Sequence, residues 1–146
     1  MSKRSLEKIK RKKMKTLKYF VILFFFLPNS AQSNEWTLVY ENSFNEDKVF
    51  IDISSIEKKD NLIYFWDMLS HKEYNDTHKY WSVTAYIEAN CDEFWYRKLN
   101  LLMHEKEMGT SPAFFETKNR SHIIIKPKKE KSGQFILLKA ACDLSN

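Results

Sequence analysis

From Tyr80 to Cys91 the chain alternates with a period of two: Trp81, Val83, Ala85, Ile87, Ala89 and Cys91 are apolar, while Ser82, Thr84, Glu88 and Asn90 share the other parity with Tyr86. Side chains of a strand point alternately to opposite faces, so the pattern predicts a strand with one buried face and puts Cys91 in phase with it. A lone strand has nothing to bury that face against, so the chain must supply both sheet neighbours and a cover.

The neighbours are legible as short apolar runs between polar clusters. Trp36–Tyr40, Val49–Ile53 and Leu62–Leu69 read as a meander, joined by a polar turn at Asn42–Asp47, a tight Ser54-Ser55-Ile56 turn and a hairpin loop at Lys58–Asn61. His71–His78 reads as a polar loop, Phe94–His104 as a fifth strand, and Ala113–Thr117 as a short sixth after a turn at Gly109–Pro112. In the fifth strand Arg97 shares a side with Trp95, Leu99, Leu101 and Met103, so it needs either an edge position or a partner. The cover comes last. After Lys126–Lys131, Ser132 is placed to cap a helix whose Phe135, Leu138, Ala141 and Cys142 fall on one stripe, although Gly133 weakens its first turn.

The front of the chain decides what the two cysteines do. Lys15 and Lys18 precede an apolar run, Tyr19–Leu27, which ends at Pro28 and small residues, the pattern of a secretion signal with cleavage expected after Ser33. The run is too short for a membrane anchor, which needs about 20 apolar residues, so no stable membrane span is expected. No cysteine near the cleavage point offers a lipid acceptor, and Met14 is an alternative start, with residues 1–13 a long basic lead. The expected organisation is a signal over 1–33 and one exported domain over 34–146, located in the periplasm or at the cell surface.

Export places Cys91 and Cys142 in an oxidising compartment, where a single pair forms a structural disulfide. Closing so long a loop is worth roughly 4 kcal/mol in the loop-entropy model. The alternatives, a redox pair or metal thiolates, lack a Cys-x-x-Cys spacing or a nearby His. The predicted fold is therefore α+β, an antiparallel sheet of about six strands with a C-terminal helix tied to one face by the disulfide.

Composition narrows the partners. The formal charge of the whole chain is +5, but residues 34–146 carry 15 basic and 18 acidic residues, a net charge of −3. The basic balance belongs to the leader, and no nucleic-acid partner is expected.

Trp36, Val49-Phe50-Ile51-Asp52 with Ser55-Ile56, Trp66, the Ser82–Cys91 strand, Arg97, Gly109, Pro127 and the terminal Cys142 occur in an order that resembles the surface-adhesin protein E-like family of small exported bacterial proteins. The resemblance spans Asn34 to Cys142. It implies the same sheet, with the helix held on its concave face by the disulfide. It also implies a binding role toward host matrix or serum proteins such as laminin and vitronectin, and marks Trp36, Asp52, Trp66, Arg97, Gly109 and Pro127 as structural positions. The chain departs from the family pattern after Pro127, where Lys128-Lys129 stands in place of Gly-Ser.

No catalytic constellation is present in the sequence: there is no Gly-x-Ser-x-Gly, no His-Glu-x-x-His and no phosphate loop. Asp52, between apolar neighbours, is expected to cap the Ser54-Ser55 turn. His71 and His78, with Glu73 and Asp76, match no metal-ligand spacing, and His104 and His122 read as isolated solvated residues, so no metal or cofactor is expected. Two binding candidates remain. One is the basic set Arg120, Lys126, Lys128, Lys129 and Lys131, suited to acidic proteins or sulfated glycans. The other is an uncovered aromatic sheet face formed by Phe50, Phe65, Tyr80, Tyr86, Phe94 and Tyr96. The expected function is a non-catalytic exported domain that binds a protein partner, either a host matrix protein or, as an alternative, a component of the cell envelope; the oligomeric state is left open.

Overall fold

A computed structural model describes residues 34–77, 79–117 and 122–146. Its strands are β1 (Trp36–Glu41), β2 (Lys48–Asp52), β3 (Glu57–Lys59), β4 (Leu62–Asn75), β5 (Tyr80–Asn90), β6 (Trp95–His104) and β7 (Ala113–Thr117), followed by one helix, α1 (Gly133–Leu144). All strand pairings are antiparallel, in the order β1-β2-β4-β5-β6-β7, with β3 beside the start of β4. The expected α+β fold is the observed one.

Two local differences have identifiable causes. Glu57–Lys59, expected as part of a loop, pairs with Leu62–Tyr64 as a short strand. It turns at Asp60, whose φ of 55° is a left-handed conformation that Asp tolerates better than most residues. The polar stretch after Leu69 is also strand as far as Asn75. Asp47 in the β1–β2 turn accepts from the backbone N–H of Lys72 (3.1 Å) and contacts His71 Nδ1 (2.9 Å), so a loop side chain provides what a neighbouring strand otherwise would. His78 lies outside the described residues.

One face of the sheet is dry. Ile51, Phe65, Ala85, Ile87, Ala89 and Tyr96 form its centre, and Leu137, Leu138 and Ala141 of α1 press onto it. Ser132 caps the helix, its hydroxyl accepting from Phe135 N–H at 3.3 Å. Gly133 is explained by a close approach. A Cβ there would stand 3.0 Å from the ring of Tyr40, so the first turn gives up helix propensity to lie against β1. Cys91, just past β5, is bonded to Cys142 on α1, so the helix is tied to the sheet as expected.

Asp67 is the exception on the dry face. It is 7% exposed and lines a cavity of about 340 Å³ with Tyr40, Tyr96, Lys98 and the first turn of α1. Burial pushes its pKa up to about 6, against the opposing pull of Lys98 and a backbone hydrogen bond at Ala85. Because the folded pKa lies above the ordinary value of 3.8, the folded state holds the proton more tightly. Its contribution is therefore complete below pH 4 and is lost as pH rises through about 6.

Two outcomes follow from this arrangement. Cys91→Ser/Cys142→Ser is expected to lower unfolding free energy by about 2–4 kcal/mol in urea titrations. Asp67→Asn is expected to gain on the wild type as pH rises, by on the order of 2 kcal/mol at pH 8 and nearly nothing at pH 4, read from urea midpoints at the two pH values.

Candidate functional site

The face turned away from α1 is built from the opposite parity of the same strands. Its cross-strand rows are Phe50–Met68–Thr84–Leu102, Trp66–Tyr86–Asn100 and Tyr64–Glu88–Arg97, with Trp36 opposite Asp52 at the β1 edge. Ser82, Thr84, Glu88 and Asn90, which period-two reading places on this other face with Tyr86, are all under 9% exposed. The cover is the chain after β6, which folds back over β4 and β5. Ser82 donates to Lys106 C=O (2.7 Å) and accepts from Gly109 N–H (2.9 Å), and Ser70 accepts from Met108 N–H (3.3 Å). Gly109 turns there at φ 61°, a left-handed conformation that suits glycine, within a tight Glu107–Gly109 turn.

Between this turn and the β1 edge lies a cavity of about 330 Å³, walled by Trp36, Trp66, Leu102 and Met108 with the exposed Asn34 also in its lining. Asp52, Thr84 and His104 also line it, each less than a tenth exposed. Asp52 Oδ1 accepts from Ser54 N–H (3.1 Å), Ser54 Oγ (2.6 Å) and Glu35 N–H (3.1 Å), which is the expected cap extended to hold the N-terminal segment in place. His104 is bound at both ring nitrogens: Nδ1 lies 2.7 Å from the Ser111 carbonyl and Nε2 3.1 Å from Thr84 Oγ1. A carbonyl only accepts, so the Nδ1 N–H donates to it, and Nε2 shares the second hydrogen bond with the Thr84 hydroxyl. The reading of His104 as an isolated solvated residue is thus overturned. Its place at the end of this strand was expected, but that it stands across from Ser82 was not evident before the register was known.

Beyond the cavity, the Tyr86 ring lies 5.2 Å from Trp66 and 6.2 Å from Tyr64, continuing an aromatic row across β4 and β5. The row ends at an ion pair. Arg97 Nη2 stands 2.6 Å from Glu88 Oε1, and Tyr64 O–H donates to Glu88 Oε2 at 3.0 Å. Burial and then Glu88 hold the Tyr64 hydroxyl above its usual pKa. Arg97 does find a partner, but not on the expected side. Tyr86 faces Asn100 while Ile87 faces Lys98, so a bulge at Leu99 turns Leu101 and Met103 to the other face.

Of the positions marked by resemblance, Trp36, Asp52, Trp66, Arg97 and Gly109 all belong to this face or its cover, and Pro127 does not. Lys126, Lys128, Lys129 and Lys131 are exposed on the irregular segment before α1, and none lines the cavity. Arg120 lies outside the described residues. The expected aromatic face divides. Phe50 and Tyr86 are on it, whereas Phe65, Tyr96 and Phe94 pack into the helix-side core, with the Phe94 and Phe135 rings 4.9 Å apart. The Tyr80 ring lies tilted against that of His71, with centroids 5.2 Å apart. His71 itself pairs with Asp47, and no cluster of metal-ligating side chains occurs among the described residues. Among the described residues no helix is long and apolar enough to cross a membrane.

A family model described as surface-adhesin protein E matches residues 36–143. No curated protein and no solved structure matches the chain.

Arg97→Met leaves the Glu88 carboxylate buried with a single hydroxyl donor. The expected cost is about 2–3 kcal/mol, below the range for fully buried pairs because the guanidinium side is 27% exposed. Arg97→Met/Glu88→Gln recovers most of it, and a double-mutant cycle in urea checks both values.

Proposed function

Because the chain belongs to the surface-adhesin protein E family, we propose that it is an exported, non-catalytic binding domain whose contact surface is the sheet face opposite α1. In this reading the leader is removed after Ser33, and the partner is a host matrix or serum protein. The observation that carries the proposal is the contrast between the faces. One is sealed by α1, while the other keeps Trp36, Trp66, Tyr64 and Tyr86 half-buried on a rigid sheet. Aromatic side chains fixed at the surface with their rings partly wet are the usual anchors of a contact patch. The groups that a hydrolytic site would need are engaged elsewhere, which supports a non-catalytic role. Both nitrogens of His104 are bound, Asp52 holds a turn and the thiols are cross-linked.

The test pairs location with binding. Protease shaving of intact cells that express the full chain is expected to release peptides from residues 34–146. The processed protein is expected to bind immobilised laminin or vitronectin, with Trp66→Ala weakening binding at least about tenfold and Lys128→Glu/Lys129→Glu changing it less. Complete protection from shaving would exclude the host ligand and leave a cell-envelope partner. Loss of binding only in the lysine variant would move the contact surface to the segment before α1.

A further inference from the structure

The cavity between Trp36 and the Glu107–Gly109 turn has a composition that selects its ligand. Two indole rings and two aliphatic side chains supply apolar wall, and three polar side chains, each less than a tenth exposed, are set into it. We propose that this cavity binds the terminal residue of a neutral carbohydrate, with the adjoining sugar lying over Tyr86. The inference rests on the reading that this face is the contact surface, and adds the chemistry that it recognises.

The argument proceeds by elimination and fit. No lysine or arginine lines the cavity, and the α-amino group that cleavage after Ser33 leaves on Asn34 is matched by the Asp52 carboxylate, so an anion such as a sulfated glycan or phosphate would find no surplus positive charge. A lipid chain would cover Asp52 Oδ2, which none of the three bonds to that carboxylate uses, with nothing that can donate to it, at the cost of desolvating it. A metal cation would find a single carboxylate oxygen, Asp52 Oδ2, and no second acidic side chain in the lining to complete its ligands.

A sugar ring has what remains: an apolar C–H face for an indole or phenol plate, and a rim of hydroxyls that both donate and accept. The protein side is complementary. The three bonds to Asp52 all fall on Oδ1, leaving Oδ2 as an acceptor, and Asn34 in the lining offers an amide with both functions. The Thr84 hydroxyl bonds His104 Nε2 and in either direction of that bond keeps a lone pair for a sugar O–H. A volume of about 330 Å³ is at the small end for ligand cavities, suited to a terminal residue and not to a buried chain. The next ring in the row, Tyr86, lies 5.2 Å from Trp66, within the reach of a second sugar.

The experiment uses processed protein released by cells expressing the full chain, with four probes: the methyl glycosides of galactose, glucose and N-acetylglucosamine, and lactose. Tryptophan fluorescence and saturation-transfer NMR are expected to show saturable binding of at least one probe, with saturation strongest on ring C–H protons. Trp66→Ala is expected to weaken it about tenfold. Asn34→Ala, at an exposed position where the fold is not at risk, is expected to weaken it several-fold, and Lys128→Glu/Lys129→Glu to leave it unchanged.

Absence of saturation by all four probes up to about 10 mM, well beyond a 1 mM site, overturns the proposal. So does binding that is indifferent to both Trp66→Ala and Asn34→Ala. The broader reading is separable: if the sugars fail while Trp66→Ala still abolishes binding to laminin or vitronectin stripped of its glycans, the face is a protein-contact surface and only the carbohydrate assignment falls.

Discussion

A sheet has two faces, and the Cys91–Cys142 cross-link commits this chain's described helix to one of them. The rest of the architecture answers that constraint. The covered face is closed by apolar contact, which is strong and tolerant of detail. The other face has no helix to close it, and is closed in part by hydrogen bonds: Ser70 and Ser82 hold down the chain after β6, and Asp52 holds the chain before β1. Each of those bonds has one geometry that works, so this second layer is specific where the first is merely dry. What it leaves open between its two straps is the cavity.

The two aspartates show how differently the faces treat the same side chain. Asp52 receives three hydrogen bonds on one oxygen and serves as a bracket for local backbone. Asp67, one strand over and of the opposite parity, has Lys98 at a distance and a backbone hydrogen bond at Ala85, and burial dominates. A carboxylate is stabilised by donors close enough to touch it, and proximity to a charge alone compensates less. The dry face carries a standing cost at neutral pH.

Much of the fold was legible because the strongest signal, the alternation over Tyr80–Cys91, fixes parity for the strand at the middle of the order and brings Cys91 out toward the helix side. The stripe of α1 and its Ser132 cap were equally plain. The polar parity of β5 misled, since alternation distinguishes apolar from polar and not buried from wet; Ser82 is fully buried precisely because it has partners far along the chain. Trp36 and Trp66 were the available hint, being large rings that fall on the parity not facing the helix. The bulge at Leu99 and the meeting of Thr84 with His104 depend on register, which no run of residues in either strand encodes alone. The Lys126–Lys131 run was visible as charge, and its exposure on the segment before α1 leaves it a separate surface from the cavity.

The staple also carries a consequence for the order of synthesis. Cys142 lies 51 positions after Cys91. A chain made and threaded from its N-terminus therefore presents one thiol long before its mate exists. Throughout that interval β1 to β5 are complete but their dry face is bare, and nothing covalent can close it. Only two cysteines occur, so no wrong intramolecular bond is available to trap the chain; the hazard is instead a partner chain at the same stage, with the same bare face and the same waiting thiol.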